Sequence, residues 1–199
     1  MEYIPRQIDK FLLDWKDDRH RIPLLLRGAR QVGKSSSVRK LGKTFKHFLE
    51  INLEKLTDAR LIFESVTDVH EIAERLAVLA NVPVIPGETL LFIDEIQISP
   101  DAIRMLRYFK EDFPELHVVA AGSLLEFALA NLSSFGVGRI TSLFMYPFSF
   151  KEFLLAMGKG RWVDAIESAG PADPVFESLH NNLVEEFRSF LHVGGMPAS

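Results

Sequence analysis

The chain contains no cysteine, which removes disulfides and cysteine-ligated metal sites from consideration. No apolar run approaches the roughly 20 residues that a membrane-crossing helix needs. Near the N-terminus, Arg6, Asp9 and Lys10 interrupt any apolar core, so no signal peptide is read there. Positive charge is not in excess: 23 Lys and Arg against 27 Asp and Glu leave a formal net charge of −4. No global pull toward nucleic acid follows, and any such binding would need a local basic patch. The six histidines form no metal-binding pattern: His70-Glu71 opens a zinc-protease-like spacing, but position 74 is Glu. No Ser, His and acid stand at hydrolase-triad spacing, and there is no internal repeat or low-complexity tract. What remains is a globular chain, expected in the cytoplasm, for which 47% hydrophobic and 25% charged residues are ordinary values. Its 199 residues allow one full-sized domain, or one domain plus part of another.

Against these absences one stretch carries chemistry. Gly28, Ala29, Arg30, Gln31, Val32, Gly33, Lys34 and Ser35 follow the pattern Gly, four residues, Gly-Lys-Ser. An apolar run with Ile22, Leu24, Leu25 and Leu26 leads in, and a helix-compatible segment leads out. In such a loop, backbone N–H groups and the start of the following helix wrap the phosphates of a nucleotide. The amides from Gly28 to Ser36 are the candidate cradle. Lys34 would reach the β- and γ-phosphates, and the Ser35 hydroxyl would ligate Mg²⁺.

A second stretch, Leu90-Leu91-Phe92-Ile93-Asp94-Glu95-Ile96-Gln97, reads as a strand buried on both faces with two carboxylates at its C-terminal end. Open α/β sheets bind ligands at that end. Asp94 is the candidate for the Mg²⁺ shell. Glu95 is placed to orient or deprotonate the water attacking a γ-phosphate. Gln97 is a further candidate for orienting that water or a neighbouring strand end.

Periodicity places a helical arm over 3–16, with Pro5 in its first turn, and strand one over Pro23 to Arg27. A helix over Lys34–Leu41 and strand two over Thr44–Asn52 follow. Helices are expected at 57–65 and 68–80, the second capped by Asp68 with Glu71 three residues on. Strand three carries the Asp-Glu pair, and Ser99-Pro100 starts a helix to about Asp112. Strand four spans Leu116–Ala121, then a short helix Leu124–Ala130 and a mobile loop Asn131–Gly138. Strand five is Arg139–Tyr146. Ser149 caps a helix over Phe150–Met157, 158–174 reads as a Gly- and Pro-containing loop, and a last amphipathic helix runs from Val175 to about Phe190.

Strands alternating with helices imply an α/β fold: a three-layer sandwich around a mostly parallel five-stranded sheet. Nucleotide hydrolases with a catalytic glutamate set a strand between the loop-bearing and acid-bearing strands, giving the order 5-1-4-3-2. Ser123, just past strand four, is then the candidate γ-phosphate sensor, a role compatible with an ordinary helix N-cap. Arg139 opens strand five after Gly136-Val137-Gly138. It reads either as an arginine offsetting γ-phosphate charge, in cis or in trans, or as a surface arginine paired with an acid.

Gly-Ala-Arg-Gln-Val-Gly-Lys-Ser, Phe-Ile-Asp-Glu-Ile-Gln, Ala-Gly-Ser, Gly-Arg-Ile, Tyr-Pro-Phe-Ser-Phe-Lys-Glu-Phe and Gly-Gly-Met-Pro together resemble the AAA+-type ATPases of bacteria and archaea. In these a nucleotide domain is followed by a C-terminal domain of unknown function. The resemblance runs from Tyr3-Ile4-Pro5-Arg6 to Pro197. It implies ATP as ligand and Mg²⁺ as cofactor, with sites in the order Lys34 and Ser35, Asp94 and Glu95, Ser123, then Arg139. It also implies a nucleotide unit over 1–148, a helical segment over 149–199, and a further domain beyond. The leading expectation is an Mg²⁺-dependent ATPase that couples nucleotide state to a conformational switch. The alternatives are a slow or non-hydrolysing nucleotide-gated interaction module and, ranked last, a small-molecule kinase. DNA or a protein is the expected macromolecular partner, and a membrane is not.

Overall fold

The computed structural model describes residues 3–123 and 138–197. Helix α1 (Ile8–Asp17) precedes strand β1 (Leu24–Arg27), which feeds the phosphate loop and α2 (Lys34–Gly42). Then come β2 (His47–Asn52), α3 (Thr57–Ser65), α4 (Val69–Ala80), β3 (Thr89–Asp94), α5 (Pro100–Asp112) and β4 (His117–Gly122). Strand β5 (Thr141–Phe144) is followed by α6 (Phe150–Ala156), α7 (Gly160–Ser168) and α8 (Glu177–Val193).

The five strands form one parallel sheet in the order β2-β3-β4-β1-β5, which is the expected arrangement. Its two faces follow from the period-2 alternation of strand side chains. Leu25, Leu91, Ile93, Val118 and Ala120 point to one face, where α3, α4 and α5 supply Phe63, Ile72, Leu76, Leu106 and Phe109. Leu24, Leu26, Leu90, Phe92, Val119 and Ala121 point to the other, where α1 and α2 supply Leu12, Val38 and Leu41. Every residue of β3 and β4 is buried, as expected for strands covered on both sides. Each fully buried Leu or Phe contributes about 1.5–3 kcal/mol, so the central strands anchor the loops at their ends.

Helix starts follow the expected cap chemistry. Asp68 accepts from the amides of His70 and Glu71, Ser99 accepts from Ala102 N ahead of Pro100, and Ser149 forms a capping box with Glu152.

Several expected boundaries move: β2 begins at His47 rather than Thr44, and the last helix runs Glu177–Val193 rather than from Val175 to about Phe190. Helix α1 begins at Ile8 rather than in the first residues. Residues 3–7 lie outside it because Arg6 is drawn into contacts with distant segments, and Pro5 is therefore not a first-turn residue. Strand β5 is four residues long; Met145 still bonds Arg27 O at 2.8 Å, but the chain then turns away at Pro147. Within the expected 158–174 loop the chain forms α7. Gly158 and Gly160 read as breakers, but Lys151–Glu167 and Lys159–Glu186 ion pairs tie this region to α6 and α8. The helix expected over Leu124–Ala130 and most of the Asn131–Gly138 loop lie outside the described residues.

Candidate nucleotide site

The phosphate loop joins the C-terminal end of β1 to the start of α2. Its backbone is unusual at three points: φ is +146° at Gly28, and +62° at Gln31 and +103° at Gly33 alternate about Val32. Such alternation turns successive amides into a concavity, a nest suited to anions. Gly28 is required twice over, because a Cβ there would collide with the Met145 carbonyl oxygen. Ala29, Arg30, Gln31 and Ser36 are exposed, whereas Val32 is buried among Leu24, Leu26 and Val38. The Arg30 side chain thus lies on the solvent side of the loop.

Lys34 is buried at the first position of α2. Its ammonium donates to the carbonyls of Gly28 (2.9 Å) and Ala29 (2.8 Å), spanning the mouth of the loop. Burial lowers its pKa, and the nearby Glu95 and Asp94 carboxylates oppose that. The Ser35 hydroxyl donates to Asp94 Oδ2 at 2.9 Å. The two sequence motifs, 59 positions apart, therefore meet at one point. Burial raises the Asp94 pKa, against the bonds from Ser35 and from the Glu95 amide.

Glu95 follows directly, with φ +54° and ψ +42°. This left-handed conformation is uncommon for a residue with a side chain, and such outliers cluster at functional sites. It turns the chain off the strand end. The Glu95 amide donates to Asp94 Oδ1 at 3.1 Å, and its carboxylate accepts from Gln97 Nε2 at 2.5 Å. Gln97 Oε1 is buried with no hydrogen-bond partner. Ser123 is buried one residue past Gly122, which pairs with Arg27 in the sheet. It therefore lies beside Gly28.

Arg139 is not brought to this site. Thr141 stands opposite Leu24, at the N-terminal start of β1. Arg139 lies two residues earlier, so at ~3.3 Å per residue it is roughly 20 Å from Gly28 along the strand axis. It pairs instead with Glu111 of α5 at 2.5 Å. In a parallel sheet every strand starts at the end away from the loop, and an arginine opening β5 must share that end.

Other residues reach the site without having been expected there. Asn52 is opposite Asp94 in the sheet and donates to its Oδ2 at 3.4 Å; its position at the end of β2 was the available signal. An open cleft of about 680 Å³ begins at Gly33 and Ser36 and is bounded by Tyr3, Ile4, Phe148 and Pro197. These come from distant parts of the sequence that no local pattern connects. No group of His, Asp or Glu side chains among the described residues is arranged to hold a metal ion on its own. No helix among the described residues is long and apolar enough to cross a membrane.

A parallel sheet with a glycine-rich anion nest after its first strand, and an acid after the strand two places away, defines a phosphate-loop nucleotide hydrolase fold. The family model described as AAA domain matches residues 20–154, and the chain belongs to that family. No curated protein sequence matches the chain. Among solved structures, the chain is similar to the Walker-type ATPase PABY2304 of Pyrococcus abyssi. The identity is 16% and the TM-score 0.56, over 98% of this chain and 65% of that one. It is also similar to Drosophila ORC bound to DNA (15%, TM-score 0.53, 93% and 56%) and to the S. cerevisiae Hsp104-ADP complex (15%, TM-score 0.53, 83% and 25%). The chain thus spans less than two thirds of each of these proteins, and at such identities the likeness is one of fold.

Proposed function

We propose that the chain binds ATP with Mg²⁺ and hydrolyses the bond to its γ-phosphate. The observation that carries this reading is the Ser35–Asp94 contact at the mouth of the loop. A hydroxyl and a carboxylate, both oxygen donors, suit a small hard cation. Mg²⁺ held there would neutralise charge on the β- and γ-phosphate oxygens.

The chain's own residues supply the rest. The Gly28–Ser36 amides bind the phosphates, and Lys34 exchanges its two carbonyl partners for phosphate oxygens. Glu95, held by Gln97, orients a water and accepts its proton as oxygen attacks phosphorus. Ser123 contacts the γ-phosphate or that water. The cleft beyond Ser36 has a volume suited to a base and ribose, with Tyr3, Ile4 and Pro197 as its apolar wall. Adenine, rather than guanine, rests on family membership and on the absence of a guanine-reading motif.

Arg139 has no role in cis in this reading. That observation favours slow turnover by a single chain, and with it the use of nucleotide state to gate a partner, DNA or protein. We assign residues 1–148 to the nucleotide unit and 149–199 to a helical segment that responds to it.

The deciding experiment is calorimetric titration of the chain with Mg-ATP and Mg-ADP. The wild type should give a saturable heat. Lys34→Ala, which keeps the loop backbone but loses the buried ammonium, should reduce affinity by about a hundredfold or more. Equal binding by both would overturn the assignment.

A further inference from the structure

We propose that Arg6 is a positioning residue: it holds the Val32 carbonyl of the phosphate loop and ties it, through Glu152, to the capping box of α6. Phosphate binding and the docking of the C-terminal helices would then be one coupled equilibrium. The phosphate half of this statement rests on the reading above; the mechanical half does not.

Arg6 is 8% exposed, which is rare for an arginine without strong partners. Its planar fork makes a separate bond in each direction. Nη1 donates to Val32 O at 2.8 Å, Nη2 to Tyr146 O at 2.7 Å and Nε to Glu152 Oε1 at 3.0 Å. The guanidinium also lies 4.3 Å from the centre of the Phe148 ring. One side chain thus joins the loop, the β5–α6 connection and the first turn of α6.

The Val32 carbonyl is a telling target. Val32 sits between Gln31 and Gly33, both at positive φ. In a trans peptide the C=O and the following N–H point in opposite directions. Holding the Val32 oxygen toward Arg6 therefore aims the Gly33 N–H away from Arg6. An arginine more than 20 positions upstream thereby sets the direction of a candidate phosphate donor.

Glu152 is the other anchor. Its Oε1 also accepts from Gln7 N at 2.8 Å, and Oε2 accepts from Ser149 N at 2.9 Å. Burial would push the Glu152 carboxyl up, but the Ser149 and Gln7 amides and Arg6 more than reverse this and hold it below the usual range. It is a buried carboxylate whose surroundings are built for the charged form. The turn after α8 closes on the same place: Gly195 O accepts from Phe148 N at 2.6 Å, and Pro197 lies beside Gly33. A shift of α6 must therefore move Glu152, then Arg6, then the Val32 peptide.

The test uses the full chain with Glu152→Gln, Arg6→Met and the apolar pair Arg6→Met with Glu152→Leu. The apolar pair removes both charges together, a replacement that buried ion pairs usually tolerate. Amide hydrogen exchange is measured without nucleotide, comparing residues 29–34 with α4. Mg-ADP affinity is measured by calorimetry. Glu152→Gln should speed exchange in the loop and not in α4, and should weaken Mg-ADP roughly tenfold. Arg6→Met should do at least as much, and the double variant no more than Arg6→Met alone. Wild-type exchange and affinity in Glu152→Gln, or effects of the two positions that simply multiply, would overturn the coupling. If Glu152→Gln does not fold, the apolar pair decides: raised loop exchange supports the link and wild-type exchange refutes it. A wild type that binds no nucleotide would sink the nucleotide assignment, and the exchange arm would still decide the link.

Discussion

At the N-terminal ends of the strands, most polar groups have ordinary partners, although Arg21 Nε and His117 Nδ1 are buried without one. Thr89 is buried between Pro83 O and Ile85 N, Arg21 donates to Glu115 O, and Arg139 pairs with Glu111. At the C-terminal ends the pattern is reversed. Lys34 spends its ammonium on two carbonyls of its own loop, Asp94 is buried against its charged form, and Gln97 Oε1 is buried without a partner. Gly28, Gln31, Gly33 and Glu95 there all hold positive φ. Both ends are attached to the same buried strands. One end is thus finished by the chain itself, while the other keeps donors, acceptors and strain in reserve for a ligand.

Substitutions can break this contrast, the largest effect being at the unfinished end. Glu95→Gln should leave nucleotide affinity near wild type and slow steady-state phosphate release about a hundredfold; unchanged release would remove Glu95 from the chemistry. Gly28→Ala should cost about 2–4 kcal/mol in a urea melt, because it adds both backbone strain and a collision with Met145 O.

The finished end should respond to pH instead. His117 is buried against Trp15 and Phe45, with Nδ1 unpartnered and Nε2 3.2 Å from Lys16 O. Burial, and then the charge of Arg21, lowers its pKa from 6.5 to about 4. The unfolded chain takes up this proton near pH 6.5 and the folded chain only near 4. The stabilisation is therefore complete above pH 6.5 and is lost as pH falls toward 4. Comparing urea midpoints at pH 7.5 and pH 5, His117→Gln should lose less than wild type. The smallest effect should come from Arg139→Ala. Its partly exposed pair contributes about 0–1 kcal/mol, and Mg-ATP affinity of the single chain should not change. A large loss of affinity would erase the distinction between the two ends.

The strands, the loop and the Asp94–Glu95 corner were legible in the sequence because each is written in consecutive residues, whereas the sheet order came from the pattern of nucleotide hydrolases with a catalytic glutamate. Strand alternation, glycine spacing and a terminal acid are local signals. The cap residues Asp68, Ser99 and Ser149 were legible for the same reason. Arg6 and Glu152 were not, because their meaning lies in a bond across 146 positions. Helix α7 was hidden by Gly158 and Gly160 near its start, while the ion pairs that tie it to its neighbours join distant positions. Of the two readings of Arg139, the surface arginine paired with an acid is the one the geometry shows, and residue type alone did not separate them. Parallel pairing alone would have set it at the far end.

Glu95 sits on a backbone that Gly or Asn would occupy with less strain. A search for heat-resistant variants would therefore nominate position 95 early. Success there would yield a sturdier protein without the carboxylate proposed to handle water, and on that proposal durability and turnover are set against each other at a single residue.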